Sequence, residues 1–249
     1  MSDRPRIVVT MHGPEQAARE EPTWASFEPY LAAVRRAGGD PISLDPTASP
    51  AERAEALAAM DGLLLPGGVD LDPALYGKDA HPTVVVEGAR DDLELAAWDA
   101  ARERAVPIFG VCRGFQAINV FSGGTLAQHV EGHDSPTADP MPHPLQLDPT
   151  SRLAMILGET GPLASTEVNS YHHQAVRPDD LAPALVASAL APHDDGNLVE
   201  ALESADPDEW LIGVQFHPER PEFIGPEFDN LWRAFVDAAR VRSGRRRRS

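Results

Sequence analysis

Residues 106–121 read V-P-I-F-G-V-C-R-G-F-Q-A-I-N-V-F, an apolar run of strand length that passes into helix-period residues with room for only a tight turn between them. Val106–Val111 predicts a buried strand and Arg113–Phe121 a helix, with Cys112 as the turn. Gly110 and Gly114 flank that cysteine and permit a bend that larger side chains would crowd. This is the setting of a nucleophile elbow, in which the turn lifts the central side chain away from the sheet edge. A thiol there lies at the positive end of the following helix, which favours the reactive thiolate. A lone cysteine is otherwise most often a buried core residue, so the position asks for partners elsewhere in the chain.

Outward from this unit, strands and helices alternate toward the N-terminus, the pattern of a parallel sheet with crossover helices. Arg6–Met11, Pro41–Leu44 and Gly62–Leu65 read as strands. Residues 24–37 form an amphipathic helix with Trp24, Phe27, Leu31 and Val34 on one face, ending at Gly38-Gly39. Ala51–Met60 and Arg90–Arg104 read as two more helices. Residues 69–88 have no sustained period, and a connection of that length suggests a functional loop. Toward the C-terminus the texture changes. Residues 131–150 are rich in Pro, Asp and His, and strands then follow one another at Thr166–Asn169, Leu185–Leu190, Leu198–Leu202 and Leu211–Phe216. Asp195-Gly196 is a hairpin signal, and a helix runs from Glu227 to about Val241. The expected fold is α/β: a flavodoxin-like, open, mostly parallel sheet flanked by helices, with extra strands in the second half and the active site at the carboxyl ends of the strands. One domain, 1–241, precedes a basic, solvated tail, 242–249.

The 249 residues hold 21 Lys+Arg against 39 Asp+Glu, a formal charge of −18. Six arginines fall in residues 240–249, which leaves −24 on residues 1–239. Such a body repels nucleic acid and anionic lipid, so neither is expected as a partner. One cysteine excludes an intramolecular disulfide framework and any zinc site built from several thiolates. No window approaches the ~20 apolar residues of a membrane span, and the N-terminal residues lead into no apolar signal region. The expectation is a cytoplasmic protein, with homodimerisation left open.

A thiol acyl-transfer site needs a base and a group that orients it. Leu211–Phe216 ends in His217-Pro218-Glu219, and in extended chain the side chains at i and i+2 point the same way, so Glu219 can hold the His217 ring. A tetrahedral oxyanion also needs two donors. The N–H of Arg113, next to the thiol, is one. Gly67-Gly68, closing the Gly62–Leu65 strand, is the natural source of the second, although Pro66-Gly67-Gly68 alone would read as a strand end.

The strings L-L-L-P-G-G-V-D (63–70), P-I-F-G-V-C-R-G-F-Q (107–116), F-S-G-G-T-L-A-Q (121–128), V-N-S-Y-H-H-Q-A (168–175), D-G-N-L-V-E-A (195–201) and G-V-Q-F-H-P-E (213–219) occur in this order. Together they resemble the class I glutamine amidotransferase-like superfamily, and within it the γ-glutamyl-γ-aminobutyrate hydrolase family, peptidase family C26. The resemblance runs from about Arg6 to Glu219. It implies Cys112 as nucleophile, His217 as general base and acid, Glu219 as the orienting residue, and Gly68 and Arg113 as oxyanion donors. It further implies that Gln116, one turn after Cys112, and the segment Asn169, Ser170, Tyr171 and His172 line the glutamyl pocket. Arg90-Asp91-Asp92-Leu93-Glu94 resembles the family's Arg-Asp-x-x-Glu signature; Arg90 is there a candidate for a substrate carboxylate or a structural ion-pair partner. The chain departs from the family at Lys78, its only lysine, where an acidic or amide residue often follows Tyr-Gly, and this bears on the leaving amine.

The implied activity is cysteine-dependent hydrolysis of a small γ-glutamyl amine or polyamine through a thioester, with no cofactor and no metal. A glutaminase subunit that passes ammonia to a synthetase would carry the same triad, and a binding protein that has lost catalysis would keep the fold. A metal hydrolase is the remaining alternative, since His129, His133, His143, His172 and His173 include an i, i+4 pair. No Glu stands between His129 and His133 in the H-E-x-x-H manner, and Gly132 and Pro136 oppose a continuous helix there.

Overall fold

The computed structural model describes residues 4–19, 26–134, 139–158 and 165–246. Trp24, Pro136, Arg247 and Arg248 lie outside them. Nine strands form one sheet, ordered β2-β1-β3-β4-β9-β8-β7-β5-β6. Its parallel half comprises β2 (Asp40–Leu44), β1 (Arg6–Thr10), β3 (Gly62–Leu65), β4 (Ile108–Val111) and β9 (Leu211–Val214). Antiparallel β8 (Leu198–Ser204), β7 (Leu185–Ala191), β5 (Met141–Leu147) and β6 (Ser165–Ser170) extend it. Of these, β8, β7 and β6 are the expected additional strands.

The parallel strands are covered on both faces, as continuous apolar runs require. In β1, Ile7 and Val9 pack with α2 (Glu28–Arg36), α6 (Arg152–Leu157) and α7 (Asp229–Arg246). Val8, pointing the other way, packs with α3 (Pro50–Ala59), α4 (Gly88–Glu103) and α5 (Arg113–Phe121). No helix of the described residues is long and apolar enough to cross a membrane.

Three short elements are absent from the sequence-based expectation: α1 (Pro14–Ala17), α6 and β5. β5 reads Met-Pro-His-Pro-Leu-Gln-Leu, and proline ordinarily argues against a strand. Residues i and i+2 turn their N–H positions to the same side, so Pro142 and Pro144 leave both missing donors on one side. β6 pairs along Met141–Gln146, whereas β7 reaches only Gln146 and Leu147, so a side of β5 that lacks ladder partners can accept both prolines. The expected basic tail also begins later than residue 242. α7 continues through Arg246, and Arg242 donates from Nε and a terminal nitrogen to the Arg104 carbonyl, at 3.2 and 2.6 Å.

The β4–α5 unit matches the 106–121 reading. Cys112 stands between them at φ 51°, ψ −106°, outside the ordinary regions for an L-residue, a strain costing on the order of 1–3 kcal/mol. Glycine is required on both sides for close approach. A Cβ at Gly114 would lie 1.8 Å from the Leu65 carbonyl oxygen, and one at Gly110 would lie 2.5 Å from the Gly114 carbonyl oxygen. Gly114→Ala is therefore expected to lower stability by about 3 kcal/mol or more in urea unfolding. Gly88→Ala, where a Cβ meets nothing within 4 Å, is expected to change it by less than about 0.5 kcal/mol.

Candidate active site

β4 and β9 are parallel neighbours in the register Gly110↔Gly213 and Val111↔Val214, so the residues that follow them emerge together. The Cys112 N–H donates to the Val214 carbonyl at 2.8 Å, and His217 stands three residues further along. Sequence positions about a hundred residues apart thus meet at one sheet end. His217 Nδ1 donates to Glu219 Oε1 at 2.7 Å, and the Cys112 thiol is a further side-chain hydrogen-bond partner of the ring. All three groups are buried, and Cys112 is 7% exposed. Burial alone would lower the His217 pKa, but the charges and hydrogen bonds of Glu219 and Cys112 outweigh it and raise the value from 6.5 to about 10.

Asn169 fixes the histidine backbone from both sides. Its Nδ2 donates to the His217 carbonyl at 3.0 Å, and its Oδ1 accepts the His217 N–H at 2.7 Å. Trp232 Nε1 donates to the Pro218 carbonyl at 3.2 Å, anchoring the turn on α7. Tyr171 meets the His217 ring edge-on with centroids 5.5 Å apart.

The Gly67-Gly68 turn passes over this pair. A Cβ on Gly67 would stand 3.2 Å from His217 Cε1 and 3.6 Å from Cys112 Cβ, so the turn packs directly against the thiol and the ring. Gly68, at φ 154°, could not carry a side chain, because a Cβ would lie 2.1 Å from an Arg90 terminal nitrogen. Arg113, first residue of α5, has no intrahelical carbonyl for its N–H. The N–H groups of Gly68 and Arg113 are the candidate oxyanion donors.

Arg90 does not line the pocket. It is fully buried beneath the glycine turn, donating to the carbonyls of Pro66 (3.1 Å) and Gly67 (2.9 Å) and to Glu94 Oε1 (2.9 Å). Of its two candidate roles, the structure favours the ion-pair one. Glu94 also accepts from Thr10 Oγ1 at 2.9 Å and pairs with the Arg113 guanidinium, which pairs in turn with Asp91. Burial opposes a charge on Glu94, but Arg113 and Arg90 hold its pKa below the usual carboxylate range.

The catalytic groups open into a cavity of about 410 Å³. Its apolar wall is Phe27, Tyr30, Val85 and Tyr171, and its polar groups include His12, Asp70, Asp134, His173 and Arg220. Thr83 and Val85 bring the 69–88 loop into the wall, pinned where Val85 N–H donates to Asp70 Oδ2 at 2.9 Å. Lys78 is exposed at the edge of that loop and is not part of the lining.

Of the residues expected to contact substrate, Tyr171 reaches the cavity. Gln116 is buried and donates to the Gln174 carbonyl and Gln215 Oε1, both at 3.1 Å. Ser170 donates to the His133 carbonyl at 2.6 Å, and the His172 ring lies behind the wall beside Glu200. Asn169 positions the base. These four support the pocket from behind.

Tyr30 is a site residue that the sequence reading assigned to no site. Its hydroxyl accepts the Gly67 N–H at 3.1 Å and lies 3.4 Å from His217 Nδ1, and burial drives its pKa far above the usual value. Its position on the apolar face of an amphipathic helix marks it as core, and only the strand order turns that face toward the catalytic pair. The candidate metal-binding histidines separate into two groups. His129 stacks on His81, and His173 pairs with Asp70, whereas His133, His143 and His172 gather near Glu200.

A family model described as Peptidase C26 matches residues 7–219. Protein NtpR of Enterococcus hirae is 40% identical, over 83% of this chain and 86% of its own. A Mycobacterium tuberculosis protein provisionally named a glutamine amidotransferase is 36% identical, over 87% and 68%. The γ-glutamyl-γ-aminobutyrate hydrolase PuuD of Escherichia coli K12 is 35% identical, over 77% of each chain. Among solved structures, the glutaminase domain of a Trypanosoma brucei CTPS with bound acivicin superimposes with a TM-score of 0.66 at 19% identity, covering 94% and 93%, a likeness of fold.

The folded His217 value lies above the free one of 6.5, so the charged ring contributes stability that is complete below that pH and is lost as pH rises through about 10. NMR titration of the imidazole is expected to place its midpoint near pH 10. Glu219→Gln is expected to move it down by at least about one unit, since the largest opposing charge is then gone. An unmoved midpoint would exclude Glu219 as the orienting group.

Proposed function

The chain belongs to the peptidase C26 family, and from that membership and the geometry of Cys112, His217 and Glu219 we propose that it is a cysteine-dependent γ-glutamyl hydrolase. Its substrate on this reading is a small γ-glutamyl amine, cleaved at the γ-amide to glutamate and free amine. The observation that carries the proposal is the buried thiol–imidazole–carboxylate line at the mouth of a cavity of about 410 Å³, large enough for such a substrate.

The chemistry follows from protonation state. His217 carries the proton taken from Cys112, and Glu219 stabilises the resulting imidazolium at Nδ1. The thiolate sulfur attacks the γ-carbonyl carbon, and the oxygen takes up negative charge toward the Gly68 and Arg113 N–H groups. As the C–N bond breaks, the imidazolium gives its proton to the leaving amine, and a γ-glutamyl thioester remains on Cys112. Water, deprotonated by His217, then adds to the thioester carbonyl. Collapse breaks the C–S bond and releases glutamate, leaving Cys112 as thiolate beside His217, which keeps the proton taken from water. No step needs a metal or cofactor. Asp70 and Asp134 line the cavity with charge that suits the substrate ammonium, and Arg220 with charge that suits its carboxylate. The relative named for γ-glutamyl-γ-aminobutyrate hydrolysis supports this substrate class; the one named an amidotransferase makes glutamine the necessary comparison.

The test is to incubate the purified protein with glutamine, γ-glutamyl-γ-aminobutyrate and γ-glutamyl polyamines and follow free glutamate. We expect turnover of at least one γ-glutamylated amine by the protein alone, an acyl adduct on Cys112 in rapid-quench mass spectrometry, and a loss of about a thousandfold or more in Cys112→Ala. Activity confined to glutamine and dependent on a second subunit would assign an ammonia donor instead.

A further inference from the structure

Behind the pocket wall, away from the thiol, polar side chains converge that the proposed reaction does not use. Glu200, on β8, is fully buried, and neither of its carboxylate oxygens has a hydrogen-bond partner among the described residues. His143 comes from β5, His172 from just beyond β6, and His133 from the segment before residue 134. One donor atom each from His133, His143 and Glu200 lie within 4.8 Å of one another. His143 Nε2 is 3.6 Å from Glu200 Oε2, and His172 Nε2 is 3.6 Å from Glu200 Oε1.

Hydrogen bonding does not account for this arrangement. At 3.6 Å the nitrogen and oxygen atoms are too far apart to bond. The other ring nitrogens fix the tautomers. His143 Nδ1 faces the Pro144 carbonyl at 3.3 Å and His172 Nδ1 the Gln174 carbonyl at 2.9 Å; a carbonyl only accepts, so each Nδ1 carries the proton. In the neutral rings Nε2 is then a lone pair, and in both residues it is aimed at a carboxylate oxygen. With Glu200 charged, acceptors face acceptors in a buried space, which is costly unless a cation lies between them; with no cation, burial pushes the Glu200 carboxyl up to about 8 and it holds a proton instead. An imidazole whose outer N–H is held by a backbone carbonyl is also the usual second shell of a metal-bound histidine. Metal–ligand bonds of about 2.0–2.1 Å at tetrahedral angles put ligand atoms about 3.3 Å apart; the His143–Glu200 separation is 3.6 Å, and His133 lies within 4.8 Å of both, so binding draws the ligands together.

We propose that His133, His143 and Glu200 form a binding site for one divalent transition-metal ion of the zinc type, with His172 packed against Glu200 beside it. Its role is positional. The His133 carbonyl accepts from Ser170 Oγ at 2.6 Å and from the His172 N–H at 3.1 Å, so the ion would tie the 131–134 segment and β5 to β8 through the strand end that carries Asn169 and Tyr171. Those two residues hold and pack the catalytic histidine. The ion touches no reacting atom, and the assignment stands independently of the substrate.

Untagged protein, stripped with a chelator and dialysed, tests this with Co2+ as spectroscopic probe and Zn2+ as calorimetric titrant. The expected result is one equivalent bound, a visible ligand-field absorption with Co2+, and a melting temperature that rises with Zn2+. Cys112→Ala is expected to bind equally well, which separates this site from the thiol. Glu200→Gln and His143→Gln are expected to weaken binding at least about a hundredfold and to remove the Zn2+ dependence of melting, while circular dichroism reports whether each is folded. Absence of stoichiometric binding in the stripped protein, or a folded Glu200→Gln that binds as the parent does, would overturn the proposal.

Discussion

The buried carboxylate of Glu94 joins the three parts of the catalytic centre. It accepts from Thr10 at the end of β1, pairs with Arg90, which holds the Pro66 and Gly67 carbonyls, and pairs with Arg113, the residue after the nucleophile. The glycine turn and the elbow thus hang from one side chain on α4. Removing a partner from such a buried pair typically costs about 3–5 kcal/mol, because the charge left behind has no water to turn to. Here Arg90 would keep only the Pro66 and Gly67 carbonyls, and Arg113 only Asp91. The network fixes the spacing between the two amides beside the thiol, a distance that loops alone would leave soft.

That fixed spacing matters because the thiol itself is held under strain. Cys112 adopts its unusual backbone angles only because Gly110 and Gly114 let β3, β4 and α5 close to atomic contact, and because its N–H is secured by β9. The same β4–β9 ladder delivers His217. Strain, nucleophile and base therefore have a common origin in strand order, and the acidic surface of the chain has no part in it.

The parallel half of the sheet and the meeting of Cys112, His217 and Glu219 at one sheet end are legible in sequence because each depends on local pattern: apolar runs of strand length, glycines around a cysteine, a histidine and glutamate two residues apart at a strand end. The pocket wall is less legible. Asn169, Ser170 and His172 lie on one short segment with Tyr171; alternation sends Ser170 and His172 away from the cavity, and Asn169, on Tyr171's side, is taken up by the His217 backbone, so only Tyr171 of the four reaches the cavity. β5 is hidden by its two prolines, whose acceptability depends on a partner strand that sequence does not reveal. Glu200 reads as one acid in a hairpin, and its company of histidines comes from three separate segments that only the antiparallel extension brings together.

The pairing of Gly110 with Gly213 has a bearing on biosynthesis. Everything from α5 to β8 is translated before the strand that completes this ladder, and long-range parallel pairing is slow to form. A nascent chain accordingly exposes its cysteine without the histidine that activates it. The meeting of Cys112 and His217 comes at the last stage of assembly, so an interrupted or partly degraded molecule carries the cysteine without the histidine beside it.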